Sequence, residues 1–347
     1  MKQTKRISLG LQGGGAYGAF GWGVLDRLLA DERLEIDAIS ASSAGAINAV
    51  ALLDGYAGDG GRAGARRSLD RFWNTLGQAA VLGPLRPSPL DLLLGRGGID
   101  TSPGYMLMQL ASATLAPEHL CPLNVNSLST LLSTLVDFER VRACEGIGLF
   151  ISATNVRTGK GRIFHRAEVD VEHVMASACL PQVFAPVRID GEAYWDGSFV
   201  GNPPLAPLLD AGAGDILVVQ NNPIARRDLP TTMADVNNRA NEIAFNIALV
   251  REISAIQHLG AVPDEETTAT AQPAPVRLHL ISGNGALRDL SISSKLNTDW
   301  AFIRGLRDLG RQAAQQWLDV HFDAVGVAST LDPRQIHMPE DAPALSG

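Results

Sequence analysis

A serine at a predicted strand-to-helix corner is the first residue of this sequence that could do chemistry. Ile36 to Ala41 reads as a short apolar strand, and a helix rich in Ala, Ile and Val begins at Ala44. Between them, Ser42 and Ser43 occupy a turn where a side chain projects into solvent beside the free N–H groups of the helix N-terminus. Ser43 is therefore the candidate nucleophile, and Ser42 is the next candidate. The alternative is that these serines only cap a buried helix.

The neighbours of Ser43 are small, as a close approach of strand and helix backbones requires. Ala41, Ala44 and Gly45 all have little or no side chain. The usual pattern for such a turn is GxSxG, and Ala41 stands at its first position. Since Ala is the least bulky replacement for Gly, the stretch is compatible with a nucleophile turn.

A glycine-rich stretch follows the first predicted strand. Ile7 to Leu11 alternates as a strand does, Gly13, Gly14 and Gly15 come next, and a helical pattern begins near Gly18. Two consecutive strand–helix units predict parallel strands joined by a right-handed crossover, with both turns at the carboxyl edge of the sheet. The glycine loop and Ser43 should therefore be neighbours.

Three functions can be considered for the glycine loop. A phosphate-binding Walker loop is excluded, because no Lys followed by Ser or Thr comes after the glycines. A dinucleotide-binding loop needs an acidic residue at the carboxyl end of the second strand, whereas Glu35 and Asp37 lie at its other end. An oxyanion hole, made of backbone N–H groups beside an attacking Ser43, fits the predicted arrangement best. A dinucleotide-binding oxidoreductase domain, with a nicotinamide cofactor on Gly13 to Gly18, stays an alternative.

An aspartate further along the chain is the candidate base. Tyr194 and Trp195 precede Asp196, Gly197 and Ser198, in a stretch whose aromatic, Gly and Pro residues would hold a loop tightly. A carboxylate bonded directly to a serine hydroxyl can accept its proton if partial burial raises the carboxylate pKa. An Asp before Gly is often only a turn residue.

Histidine is the rival base, but none of the seven histidines follows a strand in a glycine-bounded loop. His279 lies inside a predicted strand and His258 near the end of a predicted helix. All seven are therefore interpreted as structural or solvent-exposed: His119, His165, His173, His258, His279, His321 and His337.

Composition narrows the class of protein. The 347 residues are 46% hydrophobic and 19% charged, which predicts a folded chain with a sizeable core. A formal net charge of -8 and the absence of a long basic run argue against nucleic acid as a partner. Three cysteines without CxxC spacing predict neither a disulfide framework nor a zinc site.

The N-terminal residues lack the pattern of a secretion signal, and no stretch is apolar enough to span a bilayer. A cytoplasmic protein is expected.

The three motifs GGGAYG, ASSAGAIN and DGS, in that order, resemble the patatin-like phospholipase family over about Ile7 to Leu209. The resemblance implies an α/β fold, a three-layer α/β/α sandwich around a mainly parallel central sheet. It also implies acyl-ester hydrolysis by a Ser-Asp dyad, with Ser43 as nucleophile, Asp196 as general base and the loop Gly13, Gly14, Gly15 as oxyanion hole. The positions that support the motifs are Gly18, Ala41, Gly45 and Gly197.

The remaining chain is predicted to complete the same domain. Residues 1–347 are expected to form a single patatin-like domain, with the motifs in 7–209 and a C-terminal extension in 210–347. Asp215 to Gln220 predicts a buried strand, and Asn241 to Leu259 a helix with Ile243, Ile247, Val250 and Ile256 turned inward. Ala261 to Pro275 predicts a mobile linker and the last ten or so residues disorder.

Two other stretches give less specific predictions. Asp54 to Arg71, rich in Gly, Ala and Arg, predicts a surface loop. Residues 81–132 contain apolar pieces separated by prolines, and either an apolar cap over the site or ordinary packing of short helices would account for them.

The expected function is lipid acyl-ester hydrolysis of the phospholipase A or lysophospholipase kind, with no metal and no cofactor. The absence of an acidic calcium-binding loop predicts calcium independence. A thioesterase or general carboxylesterase and a lipid-binding protein of the same fold are the alternatives. The expected partner is a lipid or acyl-ester substrate, with peripheral contact to a membrane or lipid granule left open.

Overall fold

The computed structural model describes residues 4–80, 85–112, 124–181, 184–226, 229–261 and 276–332. Within these ranges eight strands form one sheet: β1 Lys5–Leu11, β2 Leu34–Ala41, β3 Gly148–Asn155, β4 Gly161–His165, β5 Val187–Ile189, β6 Glu192–Asp196, β7 Asp215–Gln220 and β8 Arg277–Ser282. The α-helices are α1 Gly18–Leu29, α2 Ala44–Gly55, α3 Gly61–Ala80, α4 Pro89–Leu94, α5 Pro103–Ser112, α6 Asn124–Leu135, α7 Phe138–Ala143, α8 Val171–Ser177, α9 Ala206–Asp210, α10 Met233–Ala261, α11 Asn284–Leu287 and α12 Trp300–His321.

Most of the sheet is parallel. Strands β3, β2, β1, β7 and β8 are neighbours in that order and run in one direction. Strands β4 and β6 pair with β3 in the opposite direction, and β5 pairs with β6. The carboxyl ends of β1 and β2 therefore meet at one edge of the sheet, as two consecutive strand–helix units predict.

Helices cover both faces of this sheet. In β7 the alternate residues Ile216 and Val218 pack with the apolar residues of α9 and α10, whereas Leu217 and Val219 join the core that contains α1, α2, α3 and α12. Every β7 side chain is buried, and residues 216–219 form a continuous apolar run rather than an alternating one. The architecture is the predicted three-layer α/β/α sandwich with a mainly parallel sheet.

The prediction of a surface loop over residues 54–71 was wrong. The chain is helical through α2, makes one wider turn at Tyr56–Gly60 and continues into α3 from Gly61. A Cβ at Gly55 would overlap the backbone of Gly64, so the glycines allow α2 and α3 to approach closely. Ala65 and Leu69 are fully buried in the contact. These glycines therefore serve helix packing, which local composition could not distinguish from a loop.

The predicted helix over 241–259 is part of the longer helix α10, and its orientation was partly wrong. Ile256 is buried and Val250 half-buried, as expected. Ile243 and Ile247, however, are each 44% exposed, although they were predicted to face inward. Phe245 and Leu249 are the residues that this part of the helix buries instead.

The part of the chain after residue 209 supplies β7, β8 and α10 to α12. Both strands pair into the same sheet as β1, and α12 packs along α1. That residues 1–347 form one domain stays a prediction. The predicted linker after residue 261 and the predicted disordered C-terminal residues lie outside the described residues.

Helices α1 and α12 pack with their backbones in direct contact. A Cβ at Gly310 of α12 would overlap the carbonyl oxygen of Phe20, and a Cβ at Gly23 of α1 would overlap that of Arg307. Gly305, also in α12, is exposed and has no atom within 4 Å of the position of a Cβ. The same helix thus contains one glycine that packing requires and one that it does not.

We expect Gly310→Ala to lower the free energy of unfolding by about 1–3 kcal/mol, because the added methyl group forces the two helices apart. Gly305→Ala is the matched control, and we expect it to be neutral or to stabilise by up to about 1 kcal/mol, since Ala favours helix over Gly. Urea unfolding followed by circular dichroism measures both. Equal effects of the two substitutions would contradict the close contact between α1 and α12.

Candidate active site

Ser43 stands at the corner between β2 and α2 in a conformation that non-glycine residues rarely adopt. Its φ is 53° and its ψ is -124°, and α2 begins at the next residue. A Cβ at Gly45 would overlap the carbonyl oxygen of Leu11, and a Cβ at Gly13 would come within 2.6 Å of the Ser43 Cβ. The strained turn and its small neighbours are the features expected of a nucleophile elbow.

The two serines of the turn have different surroundings. The Ser42 hydroxyl lies 2.6 Å from the Ser152 hydroxyl and donates to the carbonyl oxygen of Gly201 at 2.7 Å. The Ser43 hydroxyl instead lies close enough to the Asp196 carboxyl to lower its pKa, while the Ser43 N–H donates to the Ser177 hydroxyl at 2.9 Å. Ser42 therefore fastens the turn to β3, and Ser43 is the serine that meets a possible base.

Strand β3 brings Asp196 to Ser43. Ile151 of β3 pairs with Ala41 at the end of β2, and Ala153 pairs with Asp196 at the end of β6. Strand β4 occupies one edge of β3 along this stretch. Strands β2 and β6 must therefore both pair with the opposite edge of β3, one after the other. Their carboxyl ends consequently face each other, which places the end of β6 beside the turn after β2.

The Asp196 carboxyl is buried, with 1% of the residue exposed. Burial raises its pKa to about 6, while hydrogen bonds from the backbone and side chain of Ser198 and from the Ser43 hydroxyl act in the opposite direction. The Ser198 N–H donates to Asp196 Oδ1 at 2.7 Å. A carboxylate with these partners is ionised near neutral pH, yet basic enough to accept a proton from a hydroxyl group.

The glycine loop lies beside Ser43, as predicted, but its three N–H groups differ. The Gly13 N–H donates to the Asn202 side-chain oxygen at 2.7 Å. In the described part of the chain no hydrogen bond starts from the N–H of Gly14 or Gly15. Gly14 and Gly15 have positive φ angles of 154° and 59°, which turn the backbone away from the direction of β1. Gly14 and Gly15 are thus the better candidates for binding an oxyanion, and Gly13 holds the loop in place.

Two asparagines that the sequence analysis missed fix the same loop. Asn221 donates to the carbonyl oxygen of Gln12 at 2.6 Å, and Asn222 donates to that of Gly13 at 2.7 Å. Both residues follow β7, whose carboxyl end lies next to that of β1. A pair of polar residues directly after a predicted buried parallel strand was the available signal for this role.

A buried ionic cluster supports the loop from the other side. Glu242 of α10 is fully buried, and its carboxylate lies 2.8 Å from Arg226, 2.6 Å from Arg239 and 2.9 Å from Lys295. Burial opposes the charge of Glu242, but Lys295 and Arg226 hold its pKa at about 2. Arg226 also donates to the Tyr17 hydroxyl at 3.3 Å. The cluster therefore ties α10 to the turn that follows the glycines.

The remaining motif positions support the centre by fitting closely around it. Ala41 is fully buried, and a Cβ at Gly18 would come within 2.7 Å of the Ala44 Cβ. A Cβ at Gly197 would overlap the backbone of Ser152. These residues therefore support the site through close packing.

No histidine of the described chain forms a hydrogen bond or ion pair with Ser43 or Asp196. His279 is fully buried in β8, where it lies 2.9 Å from Asp215 and 2.9 Å from the Thr330 hydroxyl. His119 and His337 fall outside the described residues. The described residues also contain no group of three or more His, Cys, Asp or Glu side chains arranged to hold a metal ion.

The fold is that of an α/β/α protein with a serine at a strand-to-helix elbow, and comparison with known families makes the assignment specific. A family model described as patatin-like phospholipase matches residues 9–209. Because the match covers more than half of the chain, the chain belongs to the patatin-like phospholipase family. It is therefore a lipid acyl hydrolase.

Solved structures give more distant matches. VipD from Legionella pneumophila is similar over 92% of this chain and 67% of VipD, with 13% identity and a TM-score of 0.42. The type III effector protein ExoU is similar over 92% of this chain and 54% of ExoU, with 16% identity and a TM-score of 0.35. The chain thus spans about half the length of ExoU. At these scores neither likeness carries an argument about function.

We expect Asp196→Asn to stabilise the protein in a pH-dependent way. The folded-state pKa of about 6 lies above the ordinary value of 3.8, so the folded protein holds the Asp196 proton more tightly than the unfolded chain. The bound proton on Asp196 therefore stabilises the parent protein fully below pH 4, and this contribution is lost as the pH rises through about 6. Relative to the parent protein, the Asn variant should therefore gain about 3 kcal/mol between pH 4 and pH 7.

Urea unfolding at several pH values measures this difference. Asp210→Asn, which changes an exposed carboxyl group, is the control for the loss of one negative charge. A gain from Asp196→Asn that is the same at pH 4 and at pH 7 would contradict a raised pKa of Asp196.

Proposed function

We propose that this protein hydrolyses acyl esters of lipids with a Ser43–Asp196 dyad. The observation that carries the proposal is the buried Asp196 carboxyl, which lies beside the hydroxyl of a serine held at a strained strand-to-helix corner. Asp196 would accept the Ser43 proton directly. A histidine is not needed between them, because burial already brings the carboxyl pKa close to neutrality.

In the first half of the reaction, Ser43 Oγ attacks the carbonyl carbon of the ester as its proton passes to Asp196. The carbonyl oxygen becomes negatively charged, and the N–H groups of Gly14 and Gly15 would donate to it. One such donor stabilises a transition state by roughly 3 kcal/mol. The tetrahedral intermediate then breaks the bond to the alcohol, which takes the proton from Asp196 and leaves an acyl group on Ser43.

In the second half, water attacks the acyl group on Ser43 while Asp196 accepts a proton from that water. The same N–H groups would hold the second oxyanion. Release of the fatty acid breaks the ester bond to Ser43, and the proton on Asp196 returns to Ser43 Oγ. Both carboxylate and hydroxyl are then as they were before the reaction.

The substrate class we propose is a phospholipid or lysophospholipid, because the family is named for phospholipases. A cytoplasmic location is also part of the proposal, supported by two buried cysteines, Cys144 and Cys179, that are free thiols. No helix in the described part of the chain is long and apolar enough to cross a bilayer.

We expect Ser43→Ala and Asp196→Ala each to lower kcat by roughly 1,000-fold or more, because one removes the nucleophile and the other the base. Fatty-acid release from a phospholipid and from a soluble short-chain ester measures the effect. Ser42→Ala is the matched control: it removes the adjacent hydroxyl and should leave most of the activity. Full activity of Asp196→Ala in a folded protein would reject the dyad.

We expect kcat/KM to fall about ten-fold per pH unit below pH 6 and to level off above it, because only the ionised Asp196 can accept the Ser43 proton. The measurement is kcat/KM on a soluble ester from pH 4.5 to 8.5, in buffers of constant ionic strength. If kcat/KM instead begins to fall only near pH 4, the essential carboxylate is not the buried Asp196.

A further inference from the structure

Large apolar side chains are exposed mainly on one set of neighbouring elements. Fifteen large hydrophobic residues are exposed in the described chain, and twelve of them lie on α4, on α5 or between residues 229 and 247. The other three are Leu309, Val320 and Val327. We call the twelve residues the apolar face: Leu90, Leu92, Leu93, Leu94, Met106, Leu107, Leu110, Leu229, Met233, Val236, Ile243 and Ile247.

Helix α4 has its polar residue inside and its apolar residues outside. Asp91 is 4% exposed, and its carboxylate accepts the N–H groups of Ser88 and Thr101 at 2.8 and 3.0 Å. Leu93, by contrast, is 82% exposed. The hydrogen bonds of Asp91 fix the helix in this orientation, so the outward leucines are a built feature of the fold.

Helix α5 and the start of α10 continue the apolar face. The sequence of α5 contains no charged residue, and it buries Tyr105 while Leu107 is 68% exposed. A cleft of about 300 Å³ is lined by Tyr105 and Gln109 of α5 together with Leu229 to Thr232 and Asp235. Helix α5 and the segment before α10 therefore face each other across one cleft, and Thr101 joins α4 to the start of α5.

Helix α10 connects the apolar face with the catalytic centre. Its Phe245 ring packs on Phe199, three residues after Asp196, with 5.1 Å between ring centroids. Its Asn246 accepts a hydrogen bond from Gln12, next to the glycine loop, at 3.0 Å. Ile243 and Ile247 lie exposed on the same stretch of helix. The exposed side of α10 thus carries part of the apolar face, while the buried side of the same stretch contacts residues next to the glycine loop and Asp196.

We propose that the apolar face docks the enzyme onto the surface of aggregated phospholipid. The inference rests on the proposed function, because the lipid ester substrate lies in aggregated phospholipid and must pass from there to Ser43. Side chains as exposed as Leu93 and Leu229, at 82% and 86%, protrude from the surface. A fluid hydrocarbon layer receives protruding leucines without a matching pocket. Helices that dock in this way insert their apolar side about 5–10 Å deep into the lipid layer. So many large apolar side chains exposed on neighbouring elements are unusual on a protein without such a contact.

The test is binding to phosphatidylcholine vesicles, measured by co-sedimentation in a Ser43→Ala background so that the lipid stays intact. The double variant Leu93→Gln, Leu107→Gln removes apolar groups from two exposed positions of the face. Val320→Gln, Val327→Gln is the matched control, because these residues are 73% and 76% exposed elsewhere on the molecule. We expect the first pair to weaken vesicle binding at least about ten-fold and the second pair to leave it unchanged.

Hydrolysis by the proteins that retain Ser43 gives a second readout. The face variant should lose vesicle hydrolysis about ten-fold and keep its kcat/KM on a soluble monomeric ester. If the parent protein binds vesicles through the apolar face but hydrolyses neither substrate, the result would support docking and reject the proposed function. Absent vesicle binding, or binding equal in the face variant and the parent protein, would overturn the docking proposal. A dimer that the face variant dissociates without loss of vesicle binding would instead assign the face to a second copy of this chain.

Discussion

The candidate catalytic centre depends on one edge of β3, which two strands of opposite direction share. Ile151 pairs with Ala41 and Ala153 with Asp196, so the ends of β2 and β6 meet with one β3 residue between them. That residue, Ser152, also contacts the Ser42 hydroxyl. A slip of one residue in either pairing would send the following side chain to the opposite face of the sheet. The register of β3 therefore determines whether a serine and a carboxylate can meet at all.

Two features of the same centre lower the stability of the folded protein. Ser43 has a φ of 53°, and the buried Asp196 carboxyl accepts the Ser198 N–H but forms no ion pair with any described cation. Burial without a cation leaves the carboxylate less stable than in water, which is why its pKa rises. Glu242 shows the contrast, since it is equally buried but three cations surround it and its pKa is about 2. The protein thus pairs the structural carboxylate with cations and leaves the proposed base without an ion pair among the described residues.

The sequence predicted those parts of the molecule that follow from short-range patterns. Alternating apolar strands and small residues at the turns were sufficient to predict a parallel sheet, and the turn motifs located Ser43 and Asp196. Helical spacing grouped Ile243 with Ile247 correctly, but spacing cannot tell which side of a helix meets the core. The role of Asn222 depends on β7 lying next to β1, a pairing between residues more than 200 positions apart. Such roles become visible only when the strand order is known.

Strand β1 lies between β2 and β7, which has a consequence for any shorter form of this protein. The match to the family model ends at residue 209, and β7 begins at Asp215. A fragment ending at that boundary would expose the whole β7-facing edge of β1, with its unpaired N–H and C=O groups between apolar side chains such as Leu9 and Leu11. An apolar edge of this kind is a template for pairing between molecules. The chain after residue 209 therefore also protects the protein against aggregation.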